Sequence, residues 1–556
     1  MTTTAPARTD APRPHPRTDH PPDGGSHLTG TGTLVRLNLR LDRVRIAVWT
    51  FAVGLVVLGS IYSLEEAFPT QESLQGRADL MSSPAAVIMS GPAFALDNYT
   101  FGAMVANELV LYVLLAASIM SILLAVRHTR AEEESGRLEL VRSLPVGRFA
   151  APTASVVTVA IANVLVGAAV TVGLLVPGMA VADSVALGVA TALTGMVFAA
   201  IATVIAQTTE HAAGASGLSS AVLAVAFLVR GIGDVIEPTG SWLSWFSPLA
   251  WAQQTRLFVD LRWWPLAVSA AAVVVLYVVA VGLARRRDLG AGLRRPSPGP
   301  ATAARSLLSP AGLAERLGRG SVVAWGVGTF LFAVAMGSLA GSIDGMLDDN
   351  PTLQSWIEME GTDMTAQFAG IVLTITLVAP MVLAVSGVLR LKAEESSGRA
   401  EQVIVTGSSR TGFLAGWLTT VALQTVLLTL VAGLGTGIGV ALGVGEAGRV
   451  GELVIAALVY LPAIAVIAGL AVATYGLAPR LTVLAWLLVV WTSLVLFLGG
   501  LLDIPDWALA ISPFDSTPAL PAEDLEIVPL VALSVIAAVL VVVGLLGFRR
   551  RDIASR

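Results

Sequence analysis

Twelve stretches of this chain each run for at least 18 residues without one Asp, Glu, Lys or Arg: 46–64, 109–126, 149–182, 184–209, 212–229, 263–284, 321–343, 364–389, 411–445, 453–479, 481–502 and 527–548. All reach the roughly 17–25 residues that a helix needs to cross the hydrocarbon of a bilayer. Lipid offers no partner to a backbone N–H or C=O, so segments of this kind are expected to be helical throughout. The fold class read from them is an all-α polytopic membrane protein with twelve transmembrane helices. Apolar residues make up 55% of the 556 and charged ones 13%, with a mean hydropathy of +0.77, which excludes a single globular enzyme.

The same composition removes several chemistries. Without cysteine there is no disulfide, thiolate metal site or cysteine nucleophile. Three of the five histidines, His15, His20 and His27, lie in a Pro-rich leader, so no metal constellation and no catalytic residue is assigned. A net charge of −5 gives no footing for nucleic acid. Residues 1–30 carry no apolar core of a signal peptide and are expected to form a disordered cytoplasmic tail.

Arginine placement orients the spans, because basic loops stay cytoplasmic. The approach to the first span (Arg36, Arg40, Arg43, Arg45), the loop 127–148, the run from Arg285 to Arg319 and the tail Arg549 to Arg551 are basic and separated by even numbers of spans. Acids dominate the opposite side: Asp344, Asp348, Asp349, Glu358, Glu360 and Asp363 in one loop, and Asp503, Asp506, Asp515, Glu523, Asp524 and Glu526 in another. Both termini are expected in the cytoplasm, with the chain in a bacterial cell membrane. The long blocks 149–182 and 411–445 are each read as one helix and a turn, since a seventh span per half would put Arg285 to Arg287 on the wrong side.

The chain also repeats itself at a nearly constant offset. Arg40-Leu41-Asp42-Arg43 with Trp49 recurs as Arg316-Leu317-Gly318-Arg319 with Trp325, Trp242 with Ser247-Pro248 as Trp507 with Ser512-Pro513, and Arg285-Arg286-Arg287-Asp288 as Arg549-Arg550-Arg551-Asp552. Glu132-Glu133-Glu134-Ser135-Gly136-Arg137-Leu138-Glu139 recurs as Glu394-Glu395-Ser396-Ser397-Gly398-Arg399-Ala400-Glu401. Six spans per half make the repeats parallel, with a shared pathway between them. The domain reading is a tail (1–30), a first six-span half (31–288), a cytoplasmic linker (289–306) and a second half (307–556).

The last repeat carries the functional signal. Glu133 with Arg137, and Glu395 with Arg399, stand four residues apart with the acid first, which predicts a surface pair on a short cytoplasmic helix. Acids add nothing to the positive-inside rule, so their recurrence suggests a docking surface. The pattern Glu-Glu-x-x-Gly-Arg-x-Glu, followed in the first copy by Pro145-Val146-Gly147-Arg148, resembles the coupling-helix region of permease subunits of type-2 ATP-binding-cassette exporters. The duplicated form is most similar to the tetronasin or polyketide-antibiotic exporter group. That resemblance covers nearly the whole chain beyond residue 30. It implies amphipathic interfacial helices at 34–44 and 307–319, and coupling helices at 132–148 and 394–410 that seat in ATPase subunits. The coupling residues it implies are Glu132, Glu133, Gly136, Arg137, Glu139, Pro145, Arg148, Glu394, Glu395, Gly398, Arg399, Glu401 and Arg410. The second copy departs at Ser396 and Gly407, where the first has Glu134 and Pro145.

A phosphate-cradling loop needs Gly-Lys-Ser/Thr, and the single lysine, Lys392, stands between Leu391 and Ala393. ATP and Mg²⁺ are therefore expected on a partner, two copies of an ATP-binding-cassette ATPase, driving export of a small amphipathic compound across the lipid bilayer. By resemblance, the second and fifth spans of each half flank the path, with Met104, Glu108, Tyr112, Phe227 and Arg230 in one half and Gln367, Thr374 and Trp486 in the other as lining candidates. The rival is a proton-coupled secondary drug transporter, which needs ionisable groups inside spans. Glu108 and Arg230 are its candidates, with an interfacial acid and a snorkelling arginine as their structural alternatives.

Overall fold

A computed structural model describes residues 27–81, 84–237, 239–287, 292–293, 301–342, 364–406, 409–498 and 504–551. Most of the 1–30 tail, much of the 289–306 linker, the acids from Asp344 to Asp363, Gly407, Ser408, Asp503, Asp288 and Asp552 lie outside the described residues.

Among the described residues every regular element is a helix, and twelve are long and apolar enough to span a membrane. They are α1 (Thr31–Ala67), α2 (Phe101–Glu134), α3 (Ala150–Leu175), α4 (Val181–Thr208), α5 (Ala212–Ile236), α6 (Trp264–Ala284), α7 (Pro310–Gly341), α8 (Thr365–Ser396), α9 (Arg410–Val444), α10 (Arg449–Leu477), α11 (Pro479–Phe497) and α12 (Ile527–Arg550). Each centres on one charge-free block. The block 149–182 holds one helix, left through Gly178 at φ +92°, and the block 411–445 another, capped by Gly445 at φ +79°. The left-handed backbone of both exits is open to glycine without steric cost. Ser309 and Ser409 start α7 and α9, each hydroxyl accepting from a backbone N–H three residues on, at 3.1 and 3.0 Å.

Several helices outrun their apolar blocks. The segments 34–44 and 307–319, expected as separate interfacial helices, are the first turns of α1 and, from Pro310, of α7. Between Leu34 and Trp49 the sequence has neither Pro nor Gly, so nothing stops the i to i−4 ladder from running into the span. In α5 the helix continues past Arg230 to Ile236, so Arg230 lies within it rather than at its end.

Packing follows one plan twice. α4 contacts α2, α3, α5 and α6, while α10 contacts α8, α9, α11 and α12; α1 lies against α3, and α7 against α9. Two large apolar cores result, one drawn from residues 46–266 and one from 314–548. Outward surfaces of α1, α6 and α12 carry Phe51, Leu55, Val274, Val278, Val535 and Val539 exposed, as a lipid-facing wall requires. Between the two sets, the short helix Pro84–Ser90 packs on the far end of α7 and on Ser338–Ser342.

The seam of α7 with α9 depends on small residues. A Cβ added at Gly435 would stand 2.8 Å from that of Ala333, one at Gly443 2.7 Å from the Ser338 carbonyl, and one at Gly439 would collide with the Val334 carbonyl. Backbones this close exclude a methyl group. Gly439→Ala is expected to lower stability in detergent by roughly 1–3 kcal/mol through overpacking. Gly326→Ala, on the open side of α7 with nothing within 4 Å, is the neutral control. Equal unfolding midpoints for the two variants in an SDS titration would remove the steric argument.

Candidate functional site

The acid repeat lies where α2 and α8 emerge at the arginine-rich end of the bundle. In each copy the helix is broken by a glycine in the left-handed region, Gly136 at φ +72° and Gly398 at φ +74°, and a short helix restarts after it: Arg137–Arg142 in one, Arg399–Val405 in the other. That break rotates the arginine away from the acid four residues earlier. The expected pairs Glu133 with Arg137 and Glu395 with Arg399 are therefore replaced by pairs five residues apart. Arg137 stands 3.6 Å from Glu132, and Arg399 donates to Glu394 at 2.7 Å. The exposed Arg399 guanidinium is raised above its ordinary value by that hydrogen bond.

The freed acids turn inward. Glu133 accepts from Arg287 at 2.8 and 2.5 Å and from Arg130 at 2.8 Å, while Arg287 also donates to Gln207 at 2.7 Å. Glu395 accepts from Arg551 twice at 2.6 Å and from the Tyr475 hydroxyl at 2.8 Å. In both copies the second helix of the set thus grips the arginine that follows the sixth, and the fourth helix supplies a third partner. Arg551 lies over the rings of Tyr475 and Phe548, 5.0 and 5.2 Å from their centroids. Burial opposes the Arg551 charge, but the paired Glu395 carboxylate outweighs it and holds the guanidinium above its ordinary value. Glu133 and Glu395 are therefore bracing groups, with side chains 11% and 9% exposed, and neither lies on the open face.

What faces outward is different. Glu139, Pro145, Arg148, Glu401 and Arg410 are exposed, as are Leu140 (71%), Leu144 and Val405 (79%). Arg410 also donates to the Arg551 carbonyl at 3.1 Å. The segment before α1 straps the first loop, with Gly147 N–H donating to Thr29 O and Phe149 N–H to His27 O. Glu134 accepts from the Ala212 N–H at 2.8 Å and so caps α5.

The lining candidates separate into two groups. Glu108 is ion-paired with Arg77 at 2.7 Å and lies 3.4 Å from the Tyr99 hydroxyl. Burial, then the neighbouring Glu108 charge, push the Tyr99 phenol far above its ordinary range, so it remains a donor. Arg230 is fully buried: it pairs with Asp234 at 3.3 Å, donates to the Val87 carbonyl at 3.1 Å and to that of Ile88, and lies over Phe227. It pins the Pro84–Ser90 helix and does not snorkel. Met104 is buried in the small core beside these groups, and Tyr112 is exposed on α2. Thr374 bonds back to the Gly370 carbonyl, Gln367 is half-buried and Trp486 exposed on α11. Among the described residues no hydrogen bond or ion pair joins the first group to the second.

Sequence reasoning assigned no bonding role to Arg287, Arg551 or Tyr475, although both arginines recur at matching places. It also missed Asp42, which is fully buried between Arg45, Arg127 and His128 at 2.6, 3.0 and 2.7 Å, and Asp234, which follows Arg230 at helical spacing. One turn of π-helix at Arg127–Ala131 brings the α2 members of the first cluster to α1. No His, Cys, Asp and Glu group fit for a metal occurs among the described residues.

Comparison with known proteins adds two matches. Residues 307–549 match the family described as Multidrug efflux system permease Rv1217c, C-terminal domain. The multidrug efflux system permease protein Rv1217c of Mycobacterium tuberculosis is 38% identical over 548 residues, covering 97% of this chain and 98% of that one.

Removing either partner of a buried pair strands the other charge, at a cost of roughly 3–5 kcal/mol. Glu395→Gln and Arg551→Gln are each expected to destabilise the detergent-solubilised protein on that scale and to combine non-additively, with a coupling of roughly 1–3 kcal/mol. Glu401→Gln, on the exposed face, leaves stability unchanged. Additive losses in a double-mutant cycle would show that the two groups do not act as a pair.

Proposed function

This chain belongs to the multidrug efflux system permease family, and on that premise we propose that it is the permease subunit of a type-2 ATP-binding-cassette exporter that moves hydrophobic or amphipathic drugs out of the cell. The observation that carries the reading is the pair of short helices Arg137–Arg142 and Arg399–Val405. Each starts on a left-handed glycine, presents exposed apolar and acidic side chains, and is braced through its preceding acid to the end of the sixth helix of its own set. A partner that pushes on such a helix moves the second and sixth helices together. Two such surfaces suit two ATPase subunits, which bind ATP and Mg²⁺ and hydrolyse the nucleotide. Docking then rests on Leu140, Leu144 and Val405 with the rim charges Glu139, Arg148, Glu401 and Arg410. Glu133 and Glu395 relay the movement.

The remaining chemistry supports a subunit powered from outside. Lys392 donates to the Pro479 carbonyl at 2.8 Å and lies 3.3 Å from the Thr482 hydroxyl, tying α8 to the start of α11. Glu108 and Arg230, which a proton-coupled mechanism would use, are each held in an ion pair. By the arginine distribution, the short helices and both termini face the cytoplasm of a bacterial inner membrane. The duplicated six-plus-six plan also fits the tetronasin or polyketide-antibiotic group.

The test is drug efflux from vesicles holding this chain and an ATP-binding-cassette ATPase subunit that co-purifies with it. Transport is expected to require ATP and to survive an uncoupler. Leu140→Asp combined with Val405→Asp is expected to cut drug-stimulated hydrolysis by about tenfold or more, the effect of placing a charge in an apolar contact, while leaving the melting temperature unchanged. Efflux that ignores ATP and collapses with the uncoupler would overturn the proposal.

A further inference from the structure

The two sets of helices differ at one buried charge. In the first, Asp42 on α1 fills the space between α1 and the inner end of α2, answering Arg127 and His128. In the second, Gly318 stands where the repeated Arg-Leu-x-Arg motif has Asp42, and Arg390 stands where the acid repeat has His128. The carboxylate is gone, Leu389 and Ser321 stand where Arg127 and Arg45 do, and the one cation left at these places is Arg390. A cavity of about 210 Å³ opens there between α7, α8 and α9, and Arg390 is the one charged residue among its described lining.

The lining is rich in donors. Arg390 uses one guanidinium N–H on the Leu317 carbonyl at 2.7 Å, and among the described residues no carboxylate pairs with it. Gln424, Ser321 and Ser386 also line the cavity, and none has a side-chain hydrogen-bond partner among the described residues. Leu383 and Val421 supply apolar wall. A partly buried guanidinium with spare N–H groups, beside an amide and two hydroxyls, is the donor set that an oxyanion satisfies. The exposed Arg316 and Arg319 near the start of α7 put the site at the depth of lipid head groups.

We propose that this cavity binds a phosphate head group carried on an apolar chain, with the phosphate on Arg390 and Gln424 and the chain against Leu383 and Val421. The external anion takes the place that the Asp42 carboxylate fills in the other set, so the second set is completed by a ligand where the first completes itself. The inference does not depend on the ATPase partner, and its test reads binding alone.

Two probes distinguish the source of the phosphate. The purified chain is placed in phosphatidylcholine nanodiscs containing a minor fraction of phosphatidylglycerol, and retained lipid is counted by native mass spectrometry. Separately, dodecyl phosphate is titrated by calorimetry in a neutral maltoside detergent. Gly318→Asp restores the missing carboxylate, and its Cβ meets only the movable end of Gln424, at 2.7 Å. Gln424→Leu removes a donor that holds no backbone group, and Arg390→Gln removes the charge; melting temperatures establish that each variant is folded. Gly318→Asp is expected to weaken binding by about tenfold or more, the scale of one lost hydrogen bond to a charged group. Phosphatidylglycerol retained by the wild type and displaced by dodecyl phosphate identifies a lipid. Dodecyl phosphate binding without lipid enrichment identifies a free amphiphile. If neither probe binds the wild type more tightly than Gly318→Asp and Gln424→Leu, the proposal is wrong.

Discussion

A carboxylate delivered to the end of a spanning helix has to reach water or meet a cation, and in both sets of helices it meets the arginine that follows the sixth span. Glu133 with Arg287 and Glu395 with Arg551 are bidentate, largely enclosed contacts between segments far apart in sequence. They fix where α2 and α8 end, and hence where Gly136 and Gly398 turn the chain and what the short helices beyond them display. The exposed face of those helices is built from what those pairs leave over.

Much of the architecture is legible because lipid simplifies the problem. A charge-free block of sufficient length has one secondary structure open to it, so the twelve blocks announce the twelve helices, and Gly178 and Gly445 end α3 and α9 where the pattern breaks. Helix ends are less legible, since charged residues such as Arg36 and Arg40 extend a helix beyond the membrane as readily as they end it. Side-chain pairing is the least legible. Helical spacing made Arg137 the partner of Glu133, and one left-handed glycine reassigned both residues. Arg287 and Arg551 were visible only as loop charges, because nothing local in a sequence shows that the end of one helix returns to the end of another 154 or 156 residues away.

The sequence repeat is also informative where it fails. Gly318 in place of Asp42 and Arg390 in place of His128 exchange an internal ion cluster for a cavity with a cation. Glu108 and Arg230 have no counterparts in the second set, and their partners, Arg77 and the Pro84–Ser90 carbonyls, lie in the segment that joins α1 to α2. Glu108 and Arg230 thus both serve that segment.

That service has a geometric consequence. Among the described residues the broadest contact between the two sets on the face away from the arginines is made by Pro84–Ser90, and Arg230 sets its position by clasping the carbonyls of Val87 and Ile88. The seven-residue helix is a spacer. Through it, one guanidinium on α5 bears on how the far end of α7 is seated against the first set.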